Sequence, residues 1–272
     1  MNSRLIGRHF ARGDGLLKAV ILAGGRGSRL AEETEVRPKP MVNIGGKPIL
    51  WHIMKIFSTY GINEFVICLG YKGYIIKEYF ANYLLHSSNV TFDMANNQVE
   101  MHDNQAEPWK VTLIDTGEAS QTGGRLLRAK EHLAREEDFL FTYGDGVADI
   151  DIGSLIAFHN KHGKLATVSA VKPPGRFGTM SLNGNTVTAF REKQVEQGSY
   201  INGGFFVLST KVFDYIENDT TIWEGTPLTT LTSEGNLVAY QHDGYWQPMD
   251  TIRERDILEE HWQAGSAPWK LW

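Results

Sequence analysis

Short runs of consecutive apolar residues alternate along the chain with stretches in which apolar residues recur every three or four positions. Positions 19–22 and 64–69 are the first two compact apolar runs, and each predicts a buried strand. Between them Ile49, Leu50, Ile53, Met54, Ile56 and Phe57 fall at helical spacing. Pro48 stands where a first helical turn accepts proline, and Gly61 ends the run. Tyr74, Ile75, Tyr79, Phe80 and Tyr83 outline another helix, whose aromatic stripe reads as core.

The middle of the chain departs from this rhythm. Residues 90–94, 98–102 and 110–115 read as short strands separated by polar turns, a β insertion at the sheet's edge. A helix is then expected over about 125–134, and a strand over 139–143 that ends in Gly144-Asp145-Gly146. A helix at 155–161 and a strand at 166–171 follow, and Pro173-Pro174-Gly175 opens a more β-rich second half. Helices at about 227–233 and 252–264 close the pattern. Alternating strands and helices predict an α/β fold with a mixed, mostly parallel sheet flanked by helices. No repeat or low-complexity linker interrupts it. The expectation is a single domain over 18–272 with a soft subdivision near 173.

Composition narrows the function classes. Of 272 residues, 42% are hydrophobic, enough for a sizeable core, and the net charge of −5 argues against general nucleic-acid binding. The single cysteine, Cys68, excludes an internal disulfide framework and lies in an apolar run, so it reads as a buried strand residue. No run approaches the roughly 18 apolar residues of a membrane span. The first seventeen residues are basic and only patchily apolar, too weak for a secretory signal. They read as a disordered or tag-like extension, and the protein as cytoplasmic.

Chemistry concentrates after the first strand. Leu22 and Ala23 run into Gly24-Gly25-Arg26-Gly27-Ser28, with Arg29 next and Lys39 between Pro38 and Pro40. A glycine-rich turn can bend tightly and aim N–H groups at an oxyanion, while the two cations add positive charge around it. The spacing fits neither G-x-G-x-x-G nor the phosphate loop ending in G-K-[ST]. A plain strand-to-loop turn with solvated basic residues is the competing reading. The prolines weigh against it, because they restrict the backbone around Lys39 and position its side chain.

A triphosphate site needs a metal to bridge phosphates, and magnesium commonly takes one or two protein carboxylates. Asp145, at the carboxyl end of a strand and between two glycines, is either that ligand or a turn aspartate. Asp250 is the second candidate ligand; an Asp or Thr before the helix near 252 is also an ordinary cap, and one aspartate can be both. Asp115, Asp149, Asp151 and Asp243 read as turn or cap residues. His52, His159 and His162 read as surface or packing residues in helical patterns.

Together these segments resemble the sugar-phosphate nucleotidyltransferases. The residues that carry the likeness are Gly24 to Leu30, Pro38-Lys39-Pro40-Met41, Gly144-Asp145, Glu192-Lys193, Asn202-Gly203-Gly204-Phe205 and Asp250, in the family's order. Within the family the chain is most similar to the glucose-1-phosphate cytidylyltransferase branch. Glu107-Pro108-Trp109, Thr122-Gly123-Gly124-Arg125-Leu126 and Trp246-Gln247-Pro248-Met249-Asp250-Thr251 are among the stretches that point there.

The resemblance implies a Rossmann-like fold with a sugar-binding second half, and CTP and glucose 1-phosphate as substrates with Mg²⁺ as cofactor. It implies a homo-oligomer larger than a dimer, such as a hexamer, and a place in O-antigen or deoxysugar biosynthesis. Arg29 and Lys39 would act on the phosphates, and Asp145 and Asp250 would hold the metal. Residues 22–28 would line the nucleotide, with Ser120 and Arg125 on the base side and Gly144 beside the ribose. Gly178, Glu192, Lys193 and Asn202 would grip the sugar phosphate, although by itself Lys193 reads equally as a surface lysine. Two positions depart from the family pattern: Ser28 replaces the common threonine and keeps its hydroxyl, whereas Gln194 replaces a loop proline. A uridylyl- or thymidylyltransferase and a non-catalytic sugar-nucleotide sensor remain as alternatives. A nicotinamide dehydrogenase is disfavoured by the glycine spacing and by Lys39 standing where an acidic residue is expected.

Overall fold

A computed structural model describes residues 17–172, 179–191 and 200–272. Its centre is a nine-stranded sheet. Numbered in chain order, the sheet strands are β1 (Lys18–Ala23), β2 (Glu64–Leu69), β3 (Lys110–Asp115), β4 (Asp138–Tyr143), β5 (Ala166–Val171), β6 (Thr179–Asn183), β7 (Thr186–Arg191), β8 (Ile201–Ser209) and β9 (Leu237–His242). Their spatial order is β6-β7-β9-β5-β8-β4-β1-β2-β3. β1 pairs in parallel with both β2 and β4, β2 with β3, and β5 with β9. β8 runs antiparallel between β4 and β5, and β7 runs antiparallel between β6 and β9. The sheet is therefore mixed and mostly parallel, and it contains strands from both before and after position 173.

The longer helices are α1 (Ile49–Thr59), α2 (Gly73–Ala81), α3 (Thr122–Arg128), α4 (Ile152–His162), α5 (Thr226–Ser233) and α6 (Ile252–Gln263). They cover both faces. One apolar layer gathers α1, α4 and α6 around Ile21, Phe65 and Leu140, and the other gathers α3 and α5 around Val20, Phe141 and Phe206. Adjacent residues of one strand thus enter opposite layers, and this is why these strands read as continuous apolar runs.

Three expectations need correction. Lys110–Asp115 does not belong to the β insertion; as β3 it extends the central sheet in parallel with β2. The insertion is the two-stranded hairpin Asn89–Asp93 with Gln98–His102. The aromatic stripe of α2 is only partly core, since Tyr74 is 60% exposed. The expected helix over 125–134 is the earlier α3 followed by a tighter turn, Lys130–Leu133. Cys68 lies fully buried in β2, and burial pushes its thiol up to about 12.

Candidate active site

The glycine-rich segment leaves the carboxyl end of β1, the strand whose parallel neighbours β2 and β4 lie on opposite sides. The crevice beyond such strand ends, where connections depart in opposite directions, is where open α/β sheets place ligands. A cavity of about 610 Å³ opens there. Its walls include Leu22, Ala23, Gly24, Gly25, Arg26, Gly27, Ser28 and Arg29 from the first loop. Lys39, Ser120, Arg125, Gly144, Asp145 and Asp250 join them from four other segments, and so do Thr122 and Tyr143.

Lys39 forms the electrostatic centre. It begins a tight turn, Lys39–Met41, closed by the Met41 N–H donating to the Pro38 carbonyl at 2.8 Å. Only 8% exposed, its ammonium donates to Asp145 Oδ2 at 2.7 Å and to Asp250 Oδ1 at 2.5 Å. Arg29 reaches the other oxygen of Asp250 at 3.0 Å. Burial by itself would push the Lys39 ammonium down, but Asp145 and then Asp250 outweigh it and the net shift is upward. The lysine is a cation throughout neutral pH.

Backbone pairing explains how carboxylates 105 residues apart in the sequence come together. Gly146–Ala148, just after Asp145, forms a short antiparallel ladder with Trp246–Pro248, just before Asp250. The Met249 N–H then donates to the Asp145 carbonyl at 2.8 Å. Asp250 does not cap α6. Thr251 takes that role in a capping box with Glu254, so the Asp250 carboxylate faces Lys39 and Arg29.

Arg125 lines the same cavity and is also bonded to the loop beside it. Its guanidinium is 5% exposed and donates to Thr116 Oγ1 at 2.7 Å, to the Gly117 carbonyl at 2.8 Å, and to the Leu69 and Glu118 carbonyls at 3.2 Å. Burial lowers its pKa. These bonds clamp the loop after β3 onto the end of β2, and in that loop Ser120, at the cavity wall, donates its hydroxyl to the Thr116 carbonyl. Gly24 lies against this clamp, and a Cβ there would sit 2.1 Å from the guanidinium. Across the mouth, exposed Arg26 meets Glu118 at 3.4 Å.

On the opposite side Tyr143 donates to Glu224 and accepts from Asn202 Nδ2 at 3.4 Å. Asn202 is thereby placed behind one end of the cavity. Gly178, Glu192 and Lys193 lie outside the described residues. Of the remaining carboxylates, Asp151 caps α4 and Asp115 accepts from the Gly117 N–H, as turn chemistry predicts. Thr122 entered the sequence reading only as part of the branch-marking stretch, and Tyr143 and Glu224 were given no role, yet Thr122 and Tyr143 line the cavity and both bond to Glu224. Tyr143 stands next to Gly144-Asp145, whereas nothing local points to Glu224.

A model of the nucleotidyl transferase family matches residues 18–261. The chain belongs to this family. It is 60% identical over 256 residues to glucose-1-phosphate cytidylyltransferase of Salmonella typhimurium, covering 94% of this chain and 100% of that protein. It is 46% identical over 257 residues to a probable glucose-1-phosphate cytidylyltransferase of Bacillus subtilis, with the same two coverages of 94% and 100%. Among solved structures, HddC from Yersinia pseudotuberculosis superposes with a TM-score of 0.72 at 25% identity, over 90% of this chain and 99% of that one. A UDP-glucose pyrophosphorylase bound to UDP-glucose superposes at 0.71 over 92% of this chain and 100% of that one; at 16% identity it shares the fold. The protein is a nucleotidyltransferase of α/β fold, and no helix among its described residues is long and apolar enough to cross a membrane.

Proposed function

We propose that the protein transfers a cytidylyl group from CTP to glucose 1-phosphate, giving CDP-glucose and pyrophosphate. The observation that carries this reading is the 60% identity that runs the whole length of the Salmonella cytidylyltransferase. A phosphate oxygen of the sugar phosphate attacks the α-phosphorus of CTP in line. The bond from that phosphorus to the bridging oxygen breaks, and pyrophosphate leaves with the electron pair. Both reactants are anions, so catalysis rests on positioning and charge stabilisation, and no protein nucleophile is needed.

In this reading Arg29 faces the departing β- and γ-phosphates, and Lys39 neutralises charge around the reacting phosphorus. The first loop, residues 22–28, supports the nucleotide, and Gly144 leaves room for the ribose. Ser120, in the loop that Arg125 clamps, faces the base. Asn202, with Gly178, Glu192 and Lys193, serves the sugar phosphate. The pair Asp145 and Asp250 fits Mg²⁺. Both carboxylates converge on one cationic point, Lys39 Nζ, with no imidazole or thiolate among them. No group of three or more such ligands forms among the described residues, so phosphate oxygens and water would complete the shell. When bound, the ion would supply charge neutralisation between the phosphates. A chelator should then abolish turnover, and added Mg²⁺ should restore it; full activity in excess chelator would remove the metal from the account.

The same reading places the protein in the cytoplasm, as a homo-oligomer larger than a dimer, supplying a nucleotide sugar for O-antigen or deoxysugar synthesis. Mass measurement of the product made from CTP and glucose 1-phosphate tests the reaction. A species with the mass of CDP-glucose, formed in step with pyrophosphate, is the expected result. Hydrolysis of CTP without a sugar nucleotide would refute it.

A further inference from the structure

The stretch Thr122-Gly123-Gly124-Arg125-Leu126 marks the cytidylyl branch in the sequence, yet base recognition does not explain its two glycines. The structure explains them by close packing. The start of α3 lies against residues 218–224: the Gln121 N–H donates to the Asp219 carbonyl at 2.9 Å, and the Gly124 N–H to the Thr221 carbonyl at 3.2 Å. A Cβ on Gly124 would sit 2.2 Å from the Asp219 carbonyl oxygen, and one on Gly123 2.7 Å from that of Thr221. Arg128 fastens the contact by donating to both oxygens of Asp219 at 2.8 and 2.5 Å. The segment is pinned to α3 along its length.

Its far end carries Glu224, which stands behind the cavity wall. One oxygen, Oε2, accepts from Thr122 Oγ1 at 2.6 Å, and Thr122 in turn accepts from the Trp223 N–H at 2.9 Å. The other oxygen, Oε1, accepts from the Tyr143 hydroxyl. A carboxylate oxygen can only accept, so the Tyr143 hydroxyl is the donor in this bond and its proton is committed to Glu224. With its proton committed, the Tyr143 oxygen accepts from Asn202 Nδ2 at 3.4 Å, and Asn202 Oδ1 accepts from the Gly204 N–H at 2.8 Å. One carboxylate thus fixes two hydroxyls on the cavity wall and, through one of them, the amide of Asn202.

We propose that Glu224 is a positioning residue for the transfer, tying the nucleotide wall at Thr122 to the sugar-phosphate side at Tyr143 and Asn202. The inference rests on the reaction proposed above and adds a residue which that reaction did not require. A carboxylate suits the task, because it accepts from two hydroxyls at once. A glutamine accepts at one end only and must offer its NH₂ to the other hydroxyl, which breaks the order of protons along Tyr143 and Asn202. Losing one arm, a single hydrogen bond to a charged group, should change an apparent affinity by roughly tenfold or more.

The test is steady-state kinetics with both substrates varied, on wild type, Glu224→Ala, Glu224→Gln, Tyr143→Phe, Thr122→Val and the double variant Glu224→Ala/Tyr143→Phe. Tyr143→Phe is expected to raise KM for glucose 1-phosphate roughly tenfold with little change for CTP, and Thr122→Val to do the reverse. Glu224→Ala should raise both, with Glu224→Gln between it and wild type. The double variant should be no worse toward the sugar phosphate than Glu224→Ala alone, because the two changes cut one arm. Unchanged KM values in folded Glu224→Ala, or effects that multiply in the double variant, would overturn the proposal. If Glu224→Ala does not fold, the two single-hydroxyl variants decide it, and equal effects of each on both substrates would overturn it. Wild-type protein that released no pyrophosphate would instead refute the reaction, and calorimetric binding of each substrate to the same variants would then carry the comparison.

Discussion

Lys39 is a buried cation whose charge two carboxylates hold in place, an arrangement that suits the phosphate role proposed for it. An ammonium fixed at low exposure need not reorganise when charge develops on a nearby phosphate, so its loss should affect turnover more than binding. Lys39→Ala and Asp145→Ala are each expected to lower kcat about 100-fold or more with the circular-dichroism spectrum unchanged. Near-normal kcat in either purified variant would remove that residue from the chemistry. Arg125 acts through the loop it clamps. Arg125→Lys retains the charge but cannot reach four acceptors, so KM for the nucleotide should rise roughly tenfold while kcat changes little; an unchanged KM would contradict the clamp. At this scale the first loop, Lys39, Asp145 and Asp250 were legible because each carries its chemistry in a short local motif. The cap reading of Asp250 fell only when Thr251 proved to be the cap. Glu224 was not legible, since nothing in Trp223-Glu224-Gly225 records that Thr122 and Tyr143 meet there.

Elements bring these residues together through contacts that leave little room. The packing of α3 on residues 218–221 requires hydrogen at Gly124, where a methyl group would press on a backbone carbonyl that cannot turn aside. Gly124→Ala should therefore cost about 1–3 kcal/mol of stability despite the better helix propensity of alanine, read as a lowered melting temperature. A melting temperature equal to or above wild type would show that the segment can retreat. The short ladder between Gly146–Ala148 and Trp246–Pro248 does for the carboxylates what this contact does for the hydroxyls. Strands and helices buried on both sides were readable, because their apolar runs leave one assignment. β3 was misassigned for a physical reason. A half-buried edge strand of a parallel sheet shows the same mixed polarity as an exposed hairpin, and pairing partners are not written into either.

Across the molecule, residues near the C-terminus close over one apolar layer. His52 of α1 is fully buried among Trp51, Trp262, Trp269 and Trp272, with ring separations of 4.8 to 6.2 Å. Its Nε2–H donates to the Ile44 carbonyl at 2.8 Å, and its Nδ1 accepts from Trp269 Nε1–H at 3.3 Å, which satisfies the neutral ring. Burial pushes its pKa from 6.5 down to about 4, and His162 shifts to about 4 as well. Between those values the unfolded chain takes up a proton that the folded chain refuses. The stabilisation is thus complete above about pH 6.5 and is lost as pH falls toward 4, at about 3 kcal/mol for His52. The melting temperature should fall between pH 7 and pH 5, and fall less in His52→Gln; equal falls would exclude His52 as a source. The sheet's order, with β8 inserted between β4 and β5, carries Asn202 to the side of the cavity opposite Arg125. No local pattern could have shown that placement, because it depends on which strand lies beside which.

Pyrophosphate release distinguishes transfer from CTP from transfer from any other nucleotide. Purified protein with Mg²⁺ and glucose 1-phosphate would be given CTP, UTP, dTTP and ATP separately, and kcat/KM compared. Release with CTP is expected to be at least tenfold more efficient than with any other nucleotide, a discrimination of about 1.4 kcal/mol. Equal or faster release with UTP or dTTP would contradict it and would transfer the same chemistry to another branch of the family.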